Sequence, residues 1–252
     1  MNLELKDKIA VVTGASAGLG RAIAFGLARE GAKVAISGRR QEVLEETAMD
    51  IKRETQANVL TFVGDMTQIE NVAAFVNQVV DEWNTIHILV NNVGQATRGR
   101  LESLCQRDWQ QTFEANLLSA VHCTSQVVPV MKMLNWGRIV NISALSGKEP
   151  AEELIASNVV KSGLISFSKT LSRELASDHI LVNCVSPGLI DSPQNDRYFS
   201  CEEKDEVLTR IPLRRFGDPK EMADVVVFLC SERASYITGV NLLIDGGASH
   251  SV

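Results

Sequence analysis

Ile9-Ala10-Val11-Val12-Thr13-Gly14-Ala15-Ser16-Ala17-Gly18-Leu19-Gly20 is the stretch that decides the fold. Its four apolar residues, three of them branched at Cβ, read as a strand buried on both faces. Glycines follow at 14, 18 and 20, and from Leu19 onward the apolar residues recur with a helical period. In a strand-to-helix turn of this kind Gly14 permits the tight turn, Gly18 lets backbone approach a pyrophosphate, and Gly20 lets the helix pack closely on the strand. Ser16 and Leu19 belong to the same turn. The helix N-terminus beyond it offers N–H donors and partial positive charge to phosphate. The competing reading is an ordinary strand-to-helix connection.

The same alternation of short apolar runs and longer amphipathic stretches continues along the chain, the pattern of βαβ units around a parallel sheet. Strands are predicted at 9–13, 33–37, 58–63, 86–91, 137–143, 180–186 and 241–244, and helices at 19–30, 41–55, 69–83, 108–134, 157–177 and 220–229. With 252 residues, 45% of them hydrophobic, the chain can fill one large core, and no Pro/Gly-rich linker divides it. The expectation is a single α/β domain over 1–252, a doubly wound, mostly parallel seven-stranded sheet of the Rossmann type with helices on both faces. Residues 190–211, with Pro193 and several charges, interrupt the alternation. They read as a substrate-loop insertion or a solvated connection.

A formal charge of −6 and a pI near 5.3 leave no basic surface for nucleic acid, so a small molecule is the expected partner. Cys105, Cys123, Cys184, Cys201 and Cys230 form no C-x-x-C pair and signal neither a metal site nor a disulfide framework. Residues 1–8 alternate charge with leucine where a signal peptide needs an apolar core, and no later apolar run is read as a membrane span. A cytoplasmic protein with reduced thiols is expected.

The spacing Thr13-Gly-x-x-x-Gly-x-Gly20 is wider than the commonest dinucleotide fingerprint and resembles that of the short-chain dehydrogenase/reductase family. Asn91-Asn92-Val93-Gly94 is similar to the family's Asn-Asn-Ala-Gly after the fourth strand, with valine in place of alanine. Asn116 stands where the family keeps a helix asparagine. Pro187-Gly188, with Ile190 and Ser192 beyond, resembles its Pro-Gly…Thr element, and Asp245-Gly246-Gly247 its terminal Asp-Gly-Gly. These intervals run over the whole chain. The resemblance implies a nicotinamide dinucleotide held by the glycine turn with Ser16 and Leu19, by Asn92, Gly94 and Lys161, and by Pro187, Gly188, Ile190 and Ser192.

Family members that prefer NAD place a carboxylate at the end of the second strand, where it accepts hydrogen bonds from the ribose 2′-OH and repels a 2′-phosphate. Here Gly38 takes that place, followed by Arg39 and Arg40. A guanidinium pairs with phosphate in a bidentate way, so NADP(H) is expected over NAD(H). Read as solvated helix-start residues, the arginines carry no such information. Asp65 and Met66 resemble the pair that brackets adenine, although Asp65 also suits a plain turn.

The departure lies in the catalytic region. The resemblance implies Tyr-x-x-x-Lys on a helix, with the lysine lowering the tyrosine pKa so that it trades a proton with the substrate oxygen. Lys161-Ser162-Gly163-Leu164 matches the continuation, which puts Ser157 at the tyrosine position and Ala144, thirteen residues upstream, at that of the family's serine. An aliphatic hydroxyl is a weaker acid than a phenol and shorter by a ring. Ser157 also reads as a helix N-cap. Ser143 serves as the catalytic serine only if the strand end bulges; otherwise it is a polar strand-end residue bonded to backbone.

Lys161 is further implied to bind the nicotinamide ribose, and Asn116 to support a water chain to it. Asn116, Ser143, Ser157 and Lys161 are therefore the candidate catalytic positions. Lys148, Glu149, Glu152 and Glu153, in the preceding loop, offer an alternative acid or base, or a solvated charged loop. Three functions stay open: a 3-oxoacyl-reductase-like oxidoreductase acting on a ketone or secondary alcohol with a non-standard proton donor, a non-redox enzyme, and an inactive NADP-binding sensor or partner subunit. Family members pair long helices, so a homotetramer or homodimer is expected.

Overall fold

Every residue of the first strand is buried, and its neighbours in sequence alternate between two cores. The computed structural model describes residues 2–191 and 201–251. The strands are β1 (Ile9–Val12), β2 (Lys33–Gly38), β3 (Val59–Val63), β4 (Ile88–Asn91), β5 (Gly137–Ile142), β6 (Ile180–Pro187) and β7 (Asn241–Ile244). They form one sheet in the order β3-β2-β1-β4-β5-β6-β7, every pair parallel. The mostly parallel sheet of the sequence reading is thus entirely parallel among the described residues.

The helices are α1 (Gly18–Arg29), α2 (Gln41–Thr55), α3 (Ile69–Trp83), α4 (Gln106–Phe113), α5 (Ser119–Leu134), α6 (Ile155–Glu174), α7 (Cys201–Thr209) and α8 (Pro219–Leu229). On one face Val12, Ile36, Val90 and Val140 pack with α1, α2 and α8. On the other Val11, Ala35, Leu89 and Ile139 pack with α3 and α5. Burial on both faces is why the strands read as unbroken apolar runs.

Three sequence expectations change. The 108–134 pattern holds a π turn, Glu114–Leu118, between α4 and α5. From Gln106 to Leu134 the helix is long and apolar enough, by length and composition, to cross a membrane, which the sequence reading did not anticipate. Its residues Cys123, Val127 and Met131 are buried in the core shared with α3. Third, the insertion at 190–211 contains a helix, α7.

The chain winds outward from β1 in both directions, and β1 and β4 lie side by side. Parallel strands whose connections leave in opposite directions open a crevice beyond their C-terminal ends. The candidate site residues of the glycine turn and the β4 end lie there.

Candidate functional site

The turn after β1 and the end of β4 are locked together. Thr13 Oγ1 accepts from the amides of Asn92 at 3.0 Å and Val93 at 3.3 Å, while Asn92 Nδ2 donates to the carbonyls of Thr13 at 3.1 Å and Gly14 at 3.0 Å. Asn92 therefore clamps the turn. A Cβ on Gly20 would lie 2.5 Å from both Asn92 Nδ2 and the Gly14 carbonyl oxygen, so only glycine fits. Gly14 and Gly18 have φ of 64° and 57°, in the left-handed region that favours glycine.

This turn fits a dinucleotide on structural grounds. A Cβ on Gly18 would meet nothing within 4 Å, so that position faces open space. Ala17 caps α1 without a side-chain hydrogen bond, and the first turn holds no acidic residue. The helix N-terminal amides are thus unopposed by protein carboxylate, the condition for receiving phosphate. Ser16 sits in the same turn, its carbonyl accepting from Thr47 Oγ1 at 3.1 Å. Leu19 packs partly buried against the core.

At the end of β2 Gly38 is buried against Ser16, and a Cβ there would lie 3.0 Å from that of Ser16. Arg39 and Arg40 are both exposed, and Arg39 Nη1 stands 3.9 Å from Asp65 Oδ2. Asp65 forms a turn, its Oδ1 accepting from the Thr67 amide at 3.0 Å, the plain turn role that its sequence also suits. The Met66 side chain is buried in the α3 core, leaving its main chain at the strand end.

Lys161 lies on the first two turns of α6 with Nζ 3.1 Å from the Ile142 carbonyl oxygen. Burial pushes its ammonium down to about 8. A Cβ on Gly94 would stand 3.1 Å from this Nζ and 2.7 Å from Asn116 Oδ1, so a glycine lets the three meet. Asn116, in the π turn, accepts from the Gln95 amide at 3.1 Å and donates to the carbonyls of Gln95 and Thr112, each at 3.0 Å. π turns widen a helix locally and recur at functional sites.

β5 ends without a bulge. The Ser143 amide continues the ladder to Val185 at 2.8 Å, and its hydroxyl donates to the Lys161 carbonyl at 3.0 Å. That is the backbone-bonded strand-end arrangement, and it ties β5 to the helix carrying Lys161. Ala144 is extended and starts a short 3₁₀ turn.

Ser157 is not a helix cap. The N-cap of α6 is Leu154, and Ser157 is the third helical residue, with its hydroxyl turned outward from the helix onto Thr97. Its Oγ accepts from the Thr97 amide at 2.9 Å and donates to the Thr97 carbonyl at 3.3 Å. Sequence reading missed Thr97, Thr112 and Gly99 altogether, because no local signal distinguishes the segment after Gly94 from an ordinary loop.

Two of the loop carboxylates are engaged by partners other than Lys161. Glu149 accepts from the amide of His250 at 2.8 Å and also from that of Ser251, and Glu153 pairs with Arg100 at 3.2 Å. Glu152 is exposed. Beyond β6 a Cβ on Gly188 would lie 2.7 Å from Asp245 Cα, and Ile190 forms a parallel bridge with Gly217, so the Pro187-Gly188 and Asp245-Gly246-Gly247 motifs meet. Ser192 lies outside the described residues. Among the described residues no group of histidine, cysteine and carboxylate side chains could hold a metal.

Residues 14–249 match a family model described as enoyl-(acyl carrier protein) reductase. The chain is 37% identical over 247 residues to a 3-oxoacyl-[acyl-carrier-protein] reductase of Chlamydia muridarum, covering 98% of this chain and 99% of that one. It superposes on L-sorbose reductase from Gluconobacter frateurii, solved with NADPH and L-sorbose, with TM-score 0.95 at 33% identity over the full length of both. YwfH, an NADPH-dependent reductase of bacilysin biosynthesis, gives 0.94 at 29% identity, covering 98% of this chain and all of that one.

Proposed function

This chain belongs to the short-chain dehydrogenase/reductase family, and from that premise we propose that it is a cytoplasmic NADPH-dependent reductase of a ketone, with 3-oxoacyl thioesters and ketose-like compounds as the substrate classes to try. One observation carries the reading. Lys161 Nζ, Gly94 and Asn116 are gathered together, and the strand that leads to Gly94 is clamped through Asn92 to a glycine turn with every glycine in place. Bound there, the nicotinamide supplies hydride to the carbonyl carbon.

The chain's own residues supply the rest. The α1 N-terminus and Gly18 would hold the pyrophosphate, and the exposed Arg39 would supply a guanidinium for a ribose 2′-phosphate. Lys161 holds the proton that the substrate oxygen takes up, and Asn116 fixes the Gln95 main chain beside it. The ammonium replaces the phenol as acid, because burial brings its pKa within reach of neutral solution. NADPH supports this reading over NADH since two of the reductases above are described with NADPH and Gly38 carries no carboxylate. Leu118 at the end of the π turn, Met133 and Leu134 on α5 and Val159 on α6 are exposed apolar side chains, which supports a homo-oligomer formed on these helices.

Titration with NADPH and NADH, followed by loss of nicotinamide absorbance with 3-oxoacyl thioesters and L-sorbose, tests the proposal. Tight NADPH binding without turnover of any carbonyl compound would favour an inactive partner subunit. Product formation without absorbance change would favour non-redox chemistry. Light scattering of the eluted protein reads the oligomer.

A further inference from the structure

We propose that Ser157 is a positioning residue, seating the main chain of residues 95–100 as a wall of the substrate pocket beside Lys161. The substrate role rests on the reductase reading above. A serine hydroxyl has one proton and two lone pairs. Here the proton is directed to the Thr97 carbonyl and one lone pair receives the Thr97 amide, so Ser157 has no proton left for a substrate. At 4% exposure it is also closed to solvent.

Further ties hold the same segment to the head of α6. The Gly99 amide donates to the Glu153 carbonyl at 2.7 Å, Gly99 bridges Leu154, and Arg100 pairs with the Glu153 carboxylate. Glu153 takes a φ of 57° to make them, a left-handed conformation that a residue with a Cβ adopts only when its surroundings hold it there. From the opposite side Asn116 bonds both main-chain groups of Gln95. The Thr97 hydroxyl lies 2.7 Å from that of Thr112, which itself donates to the Asp108 carbonyl, so Thr97 is the donor of the pair.

The segment is thus gripped between α4, the π turn and α6, and it directly follows Gly94, where an added Cβ would lie 3.1 Å from Lys161 Nζ. Displacing it alters how a substrate approaches the lysine while leaving the phosphate turn and the lysine itself unchanged. A phenol ring placed along the Ser157 Cβ–Oγ direction would run into the Thr97 main chain, so serine and this loop path go together.

The test compares the full-length parent, Ser157→Ala and Ser157→Thr in the presence of NADPH. Amide hydrogen exchange of residues 95–100 is followed by mass spectrometry, and kinetics are measured with L-sorbose and a 3-oxoacyl thioester. Losing two hydrogen bonds should speed exchange in Ser157→Ala by about tenfold or more. KM should rise by about tenfold with kcat within about twofold, an unchanged pH profile and unchanged NADPH affinity. Ser157→Thr, which keeps the hydroxyl, should restore both readouts.

Unchanged exchange in Ser157→Ala overturns the proposal. So does a fall in kcat of about 10²- to 10⁴-fold with an altered pH profile, the signature of a proton donor. If the parent turns over neither probe, the reductase reading fails with those substrates, and the exchange data alone then decide the seating role.

Discussion

Lys161 carries its charge where burial makes charge costly, and the sign of its pH effect follows from that. On the proposed mechanism, reduction uses the protonated ammonium, whose pKa burial brings down to about 8. The reductive kcat/KM should therefore be level below pH 8 and fall about tenfold per unit above it, with oxidation of the alcohol rising over the same range. A pH–rate profile in both directions checks this, and a profile flat to pH 10 removes Lys161 from the proton's path. Arg39 is the other residue whose role is read singly. It is exposed and only loosely paired with Asp65, so it is available to a 2′-phosphate. Arg39→Ala should weaken NADPH by about 10- to 100-fold and leave NADH nearly unchanged, as a fluorescence titration would show.

Between α4 and α5 the helix changes its winding where Asn116 turns inward. That side chain makes three hydrogen bonds, two of them to Gln95, and the π turn gives it the position from which to make them. Asn116→Ala leaves the Gln95 amide and carbonyl without these partners. It should lower stability by about 1–3 kcal/mol in urea denaturation and reduce turnover more than NADPH affinity. The asparagine itself was legible in the sequence from its neighbours Phe113-Glu114-Ala115. Its winding was not, since a π turn costs one residue of register and leaves the apolar period nearly intact.

Away from the crevice, at the opposite ends of the strands, the sheet is closed by its own polar contacts. His87 Nδ1 accepts from the Ile9 amide at 3.1 Å, its ring meets Trp136 edge-on, and Trp136 Nε1 donates to Glu232 at 2.6 Å. Burial, reinforced by the nearby Lys8 charge, lowers the His87 pKa from 6.5 to about 4. In the unfolded chain the histidine binds its proton near pH 6.5, so the unfolded state takes up protons first as the solution is acidified. The contribution to stability is complete above pH 6.5 and is lost as the pH falls toward 4. Urea midpoints should drop over that window, and His87→Gln, which keeps an acceptor but does not titrate, should drop less. An equal fall in both proteins would remove His87 as a cause.

Sequence by itself determined the seven strands, the glycine turn and the absence of a phenol at 157, because apolar period, Cβ-free turns and side-chain identity are local properties. Strand ends shifted by a residue or two, as with β4 starting at Ile88 where Ile86 was expected. Only the tertiary structure decided what Ser157 does. Its partner Thr97 lies sixty residues away in the chain, and the bond uses main-chain atoms that any residue would offer. The same holds for Ser143, whose hydroxyl turns to the Lys161 carbonyl, and for Glu149, taken up by amides of residues 250 and 251. A side chain's chemistry is written in its letter, whereas the group it meets depends on how distant strands and helices are packed.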